Sequence, residues 1–174
     1  PIPISKIEAR KNLNLSSSAS YILFFGLIRK YKGLDLLIDA FSIYQKKNKN
    51  AYLLIVGEFY ENKNKYLRQI DNLGLKNKVV LYPEFMDSDQ ARNFFCASDC
   101  VAQTYRSASQ SGVTPLSYHY GLPILVSNLN GLIKPIKNDD SGIITELNST
   151  SIAKGLNEIL QPKSLIKFKK NIQS

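Results

Sequence analysis

One histidine and two cysteines are all that this 174-residue chain carries of the commonest metal-ligand types. A catalytic histidine needs a partner within hydrogen-bond reach, and Ser117-Tyr118-His119-Tyr120 supplies none, so His119 is expected to pack rather than react. Metal sites take three or four ligands at recognisable spacing. Cys96 and Cys100 lie apart from that histidine, so no metal is expected. Buried, reduced thiols suit a cytoplasmic protein. Gly-x-Gly-x-x-Gly is missing after the first strand and no Gly-Lys-Ser/Thr occurs, which removes the nicotinamide-cofactor fingerprint and the Walker A loop. No apolar run approaches the roughly 20 residues that span a bilayer. The start, Pro1 to Lys6, lacks the charged-then-apolar pattern of a secretory signal. It also lacks an initiator methionine, and the expectation is one domain, residues 1–174, cut from the C-terminal part of a longer chain.

What is present is globular. Hydrophobic residues make up 44% of the chain, enough for a real core. The net charge of +9 calls for an anionic partner: nucleotide phosphate, nucleic acid or an acidic membrane face. The lysine clusters, Lys46-Lys47 and Lys163 to Lys170, fall on helix faces and tails where solvation explains them, so nucleic acid is not the expected partner.

Strand and helix signals alternate. Pro3–Leu13 has a helical look behind Ser5, and Tyr21–Phe25 is strand-like. Leu34–Lys47 carries Leu34, Leu37, Ile38 and Phe41 at helical spacing, and Ala51–Val56 is a continuous apolar run. Asn62–Leu73 is a helix stopped by Gly74. Val79–Tyr82, Cys100–Gln103, Pro123–Val126 and Gly142–Thr145 are short strands; Ser88–Ala97, Gly112–Tyr120 and Ser151–Leu160 are helices, and Asp139-Asp140 is read as a loop. Continuous apolar strands between amphipathic helices mean a parallel sheet covered on both faces. The expected fold is a Rossmann-like, doubly wound α/β domain.

Two turns concentrate the polar chemistry. After Tyr21–Phe25 the chain runs Gly26-Leu27-Ile28-Arg29-Lys30-Tyr31-Lys32-Gly33, three cations between glycines. Ligands of open α/β sheets bind at the carboxyl ends of the strands, so Arg29 and Lys32 are placed to hold phosphate. A solvated basic turn is the plain alternative. After Cys100–Gln103 comes Tyr105-Arg106-Ser107-Ala108-Ser109-Gln110-Ser111-Gly112-Val113. The N–H groups of Ser111, Gly112 and Val113, with the Ser111 hydroxyl, suit a diphosphate. An ordinary capped helix is the alternative there.

Phe25 to Phe41, Leu54-Ile55-Val56-Gly57, Ala97-Ser98-Asp99, Ser107 to Val113 and Gly121-Leu122-Pro123-Ile124-Leu125-Val126-Ser127 follow one another in an order that resembles the donor-binding domain of group 1 (family 4) glycosyltransferases. The resemblance covers roughly residues 20–160. It implies one half of a GT-B fold, a nucleotide-sugar donor such as a UDP- or GDP-sugar, transfer with retention, and no metal or other cofactor. A glycan or lipid-linked acceptor would be held by the absent N-terminal domain. Such a protein would work in the cytoplasm or at the inner face of the membrane, with peripheral contact through Phe168-Lys169-Lys170. The family's phosphate-binding Lys maps onto Lys32. Its Arg, usually next to the glycine, has Arg29 as counterpart three residues after Gly26. The family's paired glutamates fall on Ala108 and Leu116, and no glutamate is carried over. A Ser-Ala-Ser/Thr-Gln-Ser-Gly variant of this loop occurs in the family. Ser109, Gln110, Ser111, Gly112 and Val113 then stand as substrate-binding residues with Gly26, and Glu84, after the third strand, as a base contact. Lys134 takes the place of the glutamate of Gly-Gly-Leu-Pro-Glu. Two rival readings remain open: an inactive nucleotide-sugar or glycan-binding module, and a basic nucleic-acid-binding domain.

Overall fold

The computed structural model describes residues 1–174. Six parallel strands, β1 (Ser20–Phe25), β2 (Ala51–Val56), β3 (Val79–Tyr82), β4 (Cys100–Gln103), β5 (Ile124–Ser127) and β6 (Gly142–Thr145), lie in the order β3-β2-β1-β4-β5-β6. The order reverses between β1 and β4, and that switch point opens a crevice beyond their carboxyl ends.

Eight α-helices cover the sheet: α1 (Lys6–Asn12), α2 (Leu34–Gln45), α3 (Lys63–Asn72), α4 (Ser88–Ala97), α5 (Val113–His119), α6 (Asn130–Asp139), α7 (Ser149–Ile159) and α8 (Pro162–Gln173). Alternate side chains of each strand enter opposite layers. Ile22 and Phe24 pack with α2, α3 and α7, while Tyr21 and Leu23 pack with α4, α5 and α6. Leu53 to Val56 are wholly buried, which is why β2 reads as an unbroken apolar run.

The α/β class and the strand positions agree with the sequence reading, and two helices depart from it. Asn130–Asp139 contains Gly131 and Pro135, both poor helix formers in isolation; Leu132 and Ile136, buried four residues apart, hold the helix to the sheet. Asp139 is therefore the last residue of α6 rather than a loop residue, and Asp140 closes it at φ 45°. The basic segment after Leu160 is also a helix, started by Pro162 in its first turn and anchored by buried Phe168.

At the amino edge, α1 is tied to the sheet by one carboxylate. Asp99 accepts from Lys6 Nζ at 2.5 Å, Arg10 at 3.0 Å and the Tyr21 amide at 2.8 Å. Cys96 and Cys100 are free and buried, and burial pushes the Cys100 thiol up. The His119 ring bonds the Pro1 carbonyl at 2.9 Å and meets Tyr120 edge-on. No helix is long and apolar enough to cross a membrane.

Candidate ligand site at the switch point

β1 ends at Gly26, whose φ of +107° few other residues adopt. A Cβ there would sit 3.0 Å from Lys32 Nζ and 3.9 Å from the Val113 side chain. The missing side chain thus lets three segments meet: the end of β1, the short 3-10 turn Lys30–Lys32 and the start of α5.

Lys32 is buried, 8% exposed, yet no carboxylate faces its ammonium. Its nitrogen lies 5.6 Å from the Tyr105 ring centroid. Burial lowers the Lys32 pKa below the ordinary 10.5, and the neighbouring charge of Arg29 lowers it further. A buried cation without a counter-charge costs folding free energy. Beside it, burial pushes the Tyr105 phenol up to about 12, so it stays neutral.

The loop that follows Tyr105 supplies the second wall. The Ser111 hydroxyl accepts from the Val113 amide at 3.2 Å and lies 3.4 Å from the Tyr105 hydroxyl. The Val113 N–H expected to face a ligand is therefore engaged, a correction with a simple cause: the Ser111 hydroxyl, in the turn just before α5, takes it. The backbone N–H groups of Ser111 and Gly112 donate to no group within the chain, and the Cα of Gly112 faces open space. Ser109 and Gln110 are exposed on the same loop. Gly131, at the start of α6, lies so close under this loop that a Cβ would collide with the Ala108 and Ser109 backbone. The loop is thereby seated on α6 as well as on α5.

The other expected residues separate from this group. Arg29 is exposed, and its guanidinium lies over the Tyr60 ring at 4.5 Å. It acts on Lys32 through its charge. Glu84 is exposed beyond β3 and lines no part of the space around Gly26; a small cavity of about 100 Å³ there is bounded by Phe25, Gly26, Leu27, Gly57, Glu58, Phe85 and Met86. Arg106 forms a two-pronged ion pair with Asp35, at 2.8 and 2.7 Å. That pair joins residues 71 apart in sequence, a spacing no local pattern signals. Burial raises the Asp35 carboxyl, but Arg106, together with the Leu36 and Asp35 backbone amides, more than offsets this and holds it below the usual range. Ala108 is half-buried in the loop, and Leu116 packs against the layer formed by α4, α5 and α6.

A parallel sheet of this order defines the chain as a Rossmann-like domain, with an unpartnered cation and free amides at its switch point. Comparison makes the family explicit. The chain belongs to the glycosyl transferases group 1, whose family model matches residues 5–174. It is 29% identical over 157 residues to an uncharacterized glycosyltransferase of Methanocaldococcus jannaschii, aligning 89% of this chain with 39% of that protein. The chain thus spans about two fifths of that relative's length. Its backbone superposes on the C-terminal domain of the group 1 glycosyl transferase LpcC from Francisella tularensis with a TM-score of 0.85 at 18% identity, covering 98% of this chain and 91% of that one. Anabaena HepE, solved in complex with UDP-glucose, matches with a TM-score of 0.83 at 20% identity over 97% of this chain and 46% of HepE. The expected family resemblance and the expected Rossmann-like α/β fold, that of a GT-B domain, are both borne out.

Proposed function

We propose that this chain is the donor-binding half of a retaining, metal-independent glycosyltransferase. The observation that carries the reading is Lys32: a buried ammonium with no acidic partner, set against Gly26 where strand order reverses. Breaking a glycosyl–phosphate bond leaves its electron pair, and hence negative charge, on the departing diphosphate. Preorganised donors at that point lower the barrier. Lys32 and the Ser111 and Gly112 amides supply them, and Arg29 adds its field. UDP-glucose in HepE, a protein of the same fold, supports a nucleotide sugar as donor. Phe85, 71% exposed beside the small cavity at Gly26, offers a ring face for the base. The acceptor and the groups that handle its proton belong to the remainder of a two-domain enzyme, so this chain alone binds donor without transferring sugar.

Calorimetric titration with UDP, GDP, ADP and CMP tests this. One nucleoside diphosphate should bind selectively, and Lys32→Ala should lose that binding. Equal binding of all four, or affinity unaffected by Lys32→Ala, overturns the proposal. A second reading, a binding module without transfer, is favoured by the lack of a carboxylate at Ala108 and Leu116. Turnover of the full-length protein separates the two.

A further inference from the structure

Three loops leaving the carboxyl edge after β1, β2 and β4 enclose an open concavity of about 530 Å³, lined by Arg29, Lys30, Tyr31, Tyr60, Glu61 and Arg106. That volume lies in the range of small-molecule sites. It shares no lining residue with the group around Gly26, Lys32 and Ser111. Tyr105 is buried between the two: the Lys32 ammonium approaches its ring, and the ring of Tyr31, which lines the concavity, meets it edge-on at 6.0 Å.

The charges within the concavity are unevenly satisfied. Arg106 is committed to Asp35 and also donates to the Lys30 carbonyl at 3.2 Å. Glu61 accepts from the Tyr66 hydroxyl and from Lys65. Asp35 and Glu61 are therefore taken, and Arg29 and Lys30 form no salt bridge.

Arg29 has one side-chain neighbour. Its guanidinium carbon lies over the Tyr60 ring at 4.5 Å, a cation–π contact that leaves its N–H groups without a hydrogen-bond partner in the chain. The backbones carrying the two residues are paired: Ile28 N–H donates to the Glu58 carbonyl at 2.8 Å, and Tyr60 N–H to the Ile28 carbonyl at 3.0 Å. Around this fork, Tyr31 and Tyr60 remain 41% and 53% exposed. A guanidinium with free N–H groups and an ammonium beside it match a carboxylate or phosphate. Half-open phenol rings offer an apolar body and a polar tip, which suit the mixed faces of a sugar.

We infer that this concavity is a second anion site, which holds an acidic sugar residue of the acceptor glycan. Its assignment to the acceptor rests on the transferase reading above; the anion site itself stands on the geometry.

The test is an NMR titration of the chain with glucuronic acid and with glucose 6-phosphate, using glucose and inorganic phosphate as controls and UDP in parallel. At least one acidic sugar should shift the resonances of Arg29 to Tyr31 and Tyr60, binding about tenfold more tightly than glucose or inorganic phosphate. Glucuronic acid alone would identify a carboxylate ligand, and glucose 6-phosphate alone a phosphomonoester. Arg29→Ala should abolish these shifts. Arg29→Lys, which keeps the charge without the fork, and Tyr60→Leu should each weaken them, and serve if Arg29→Ala does not fold. Lys32→Ala should weaken UDP far more than the acidic sugar. Acidic sugars that bind no better than glucose or free phosphate, or that shift Gly26 and Gly112 instead, overturn the inference. Acidic-sugar binding without UDP binding would overturn the donor reading, and the acceptor assignment with it, and leave the anion site standing.

Discussion

Arg10 and Lys32 are buried to nearly the same degree, 5% and 8% exposed, at opposite edges of one sheet. Arg10 meets Asp99 at 3.0 Å, the Ala97 carbonyl at 2.9 Å and the Ser17 carbonyl at 2.7 Å. Lys32 meets an aromatic ring and the charge of Arg29. The amino edge uses its cation to fasten α1 to β1 and α4. The carboxyl edge leaves its cation unbalanced, at a cost in folding free energy that a ligand can recover. The two cations are equally buried and oppositely satisfied.

The largest effect should come from breaking the satisfied side. Asp99→Ala strands Arg10 and should cost about 3–5 kcal/mol of stability, measured by urea unfolding. Breaking the unsatisfied side should do the reverse. Lys32→Met should raise the thermal midpoint while weakening nucleoside diphosphate binding by about 1.5–3 kcal/mol, read by calorimetry. If Lys32→Met lowers stability, the contrast fails.

A pH series sharpens the comparison further. The unfolded chain holds the Lys32 proton up to its ordinary pKa of 10.5, whereas the folded chain releases it earlier. The unfolded state then binds more protons between those values, so the Lys32 contribution to stability rises with pH across that window. Nucleotide affinity should fall over the same window, because the ligand needs the charged form. Lys32→Met should flatten both trends. The smallest effect is expected from Gly131→Ala, which pushes on the Ala108–Ser109 backbone and should weaken nucleotide binding about threefold with Lys32 untouched.

Much of this was readable in the chain. Ala51–Val56, Val79–Tyr82, Cys100–Gln103 and Gly142–Thr145 match their expected limits, because each is a short, largely apolar run between polar or turn-forming segments. Lys32 stood out because a cation just before a glycine follows the first strand. Helices α6 and α8 were hidden, since their stability comes from docking Leu132, Ile136 and Phe168 rather than from local propensity. The orientation of Arg29 toward Tyr60, the pairing of Arg106 with Asp35 and the engagement of the Val113 amide each depend on which neighbour the fold brings close, and no spacing rule encodes that.

The single rung between Ile28 and Phe59 has a dynamic consequence. The amides of Ile28 and Tyr60 lie outside the strands yet are bonded as strand amides are. They should exchange with deuterium on the timescale of the sheet, not of surface loops. The arms bearing Arg29 and Tyr60 would then behave as a stiff extension of β1 and β2, already shaped when a ligand arrives, with little ordering entropy left to lose.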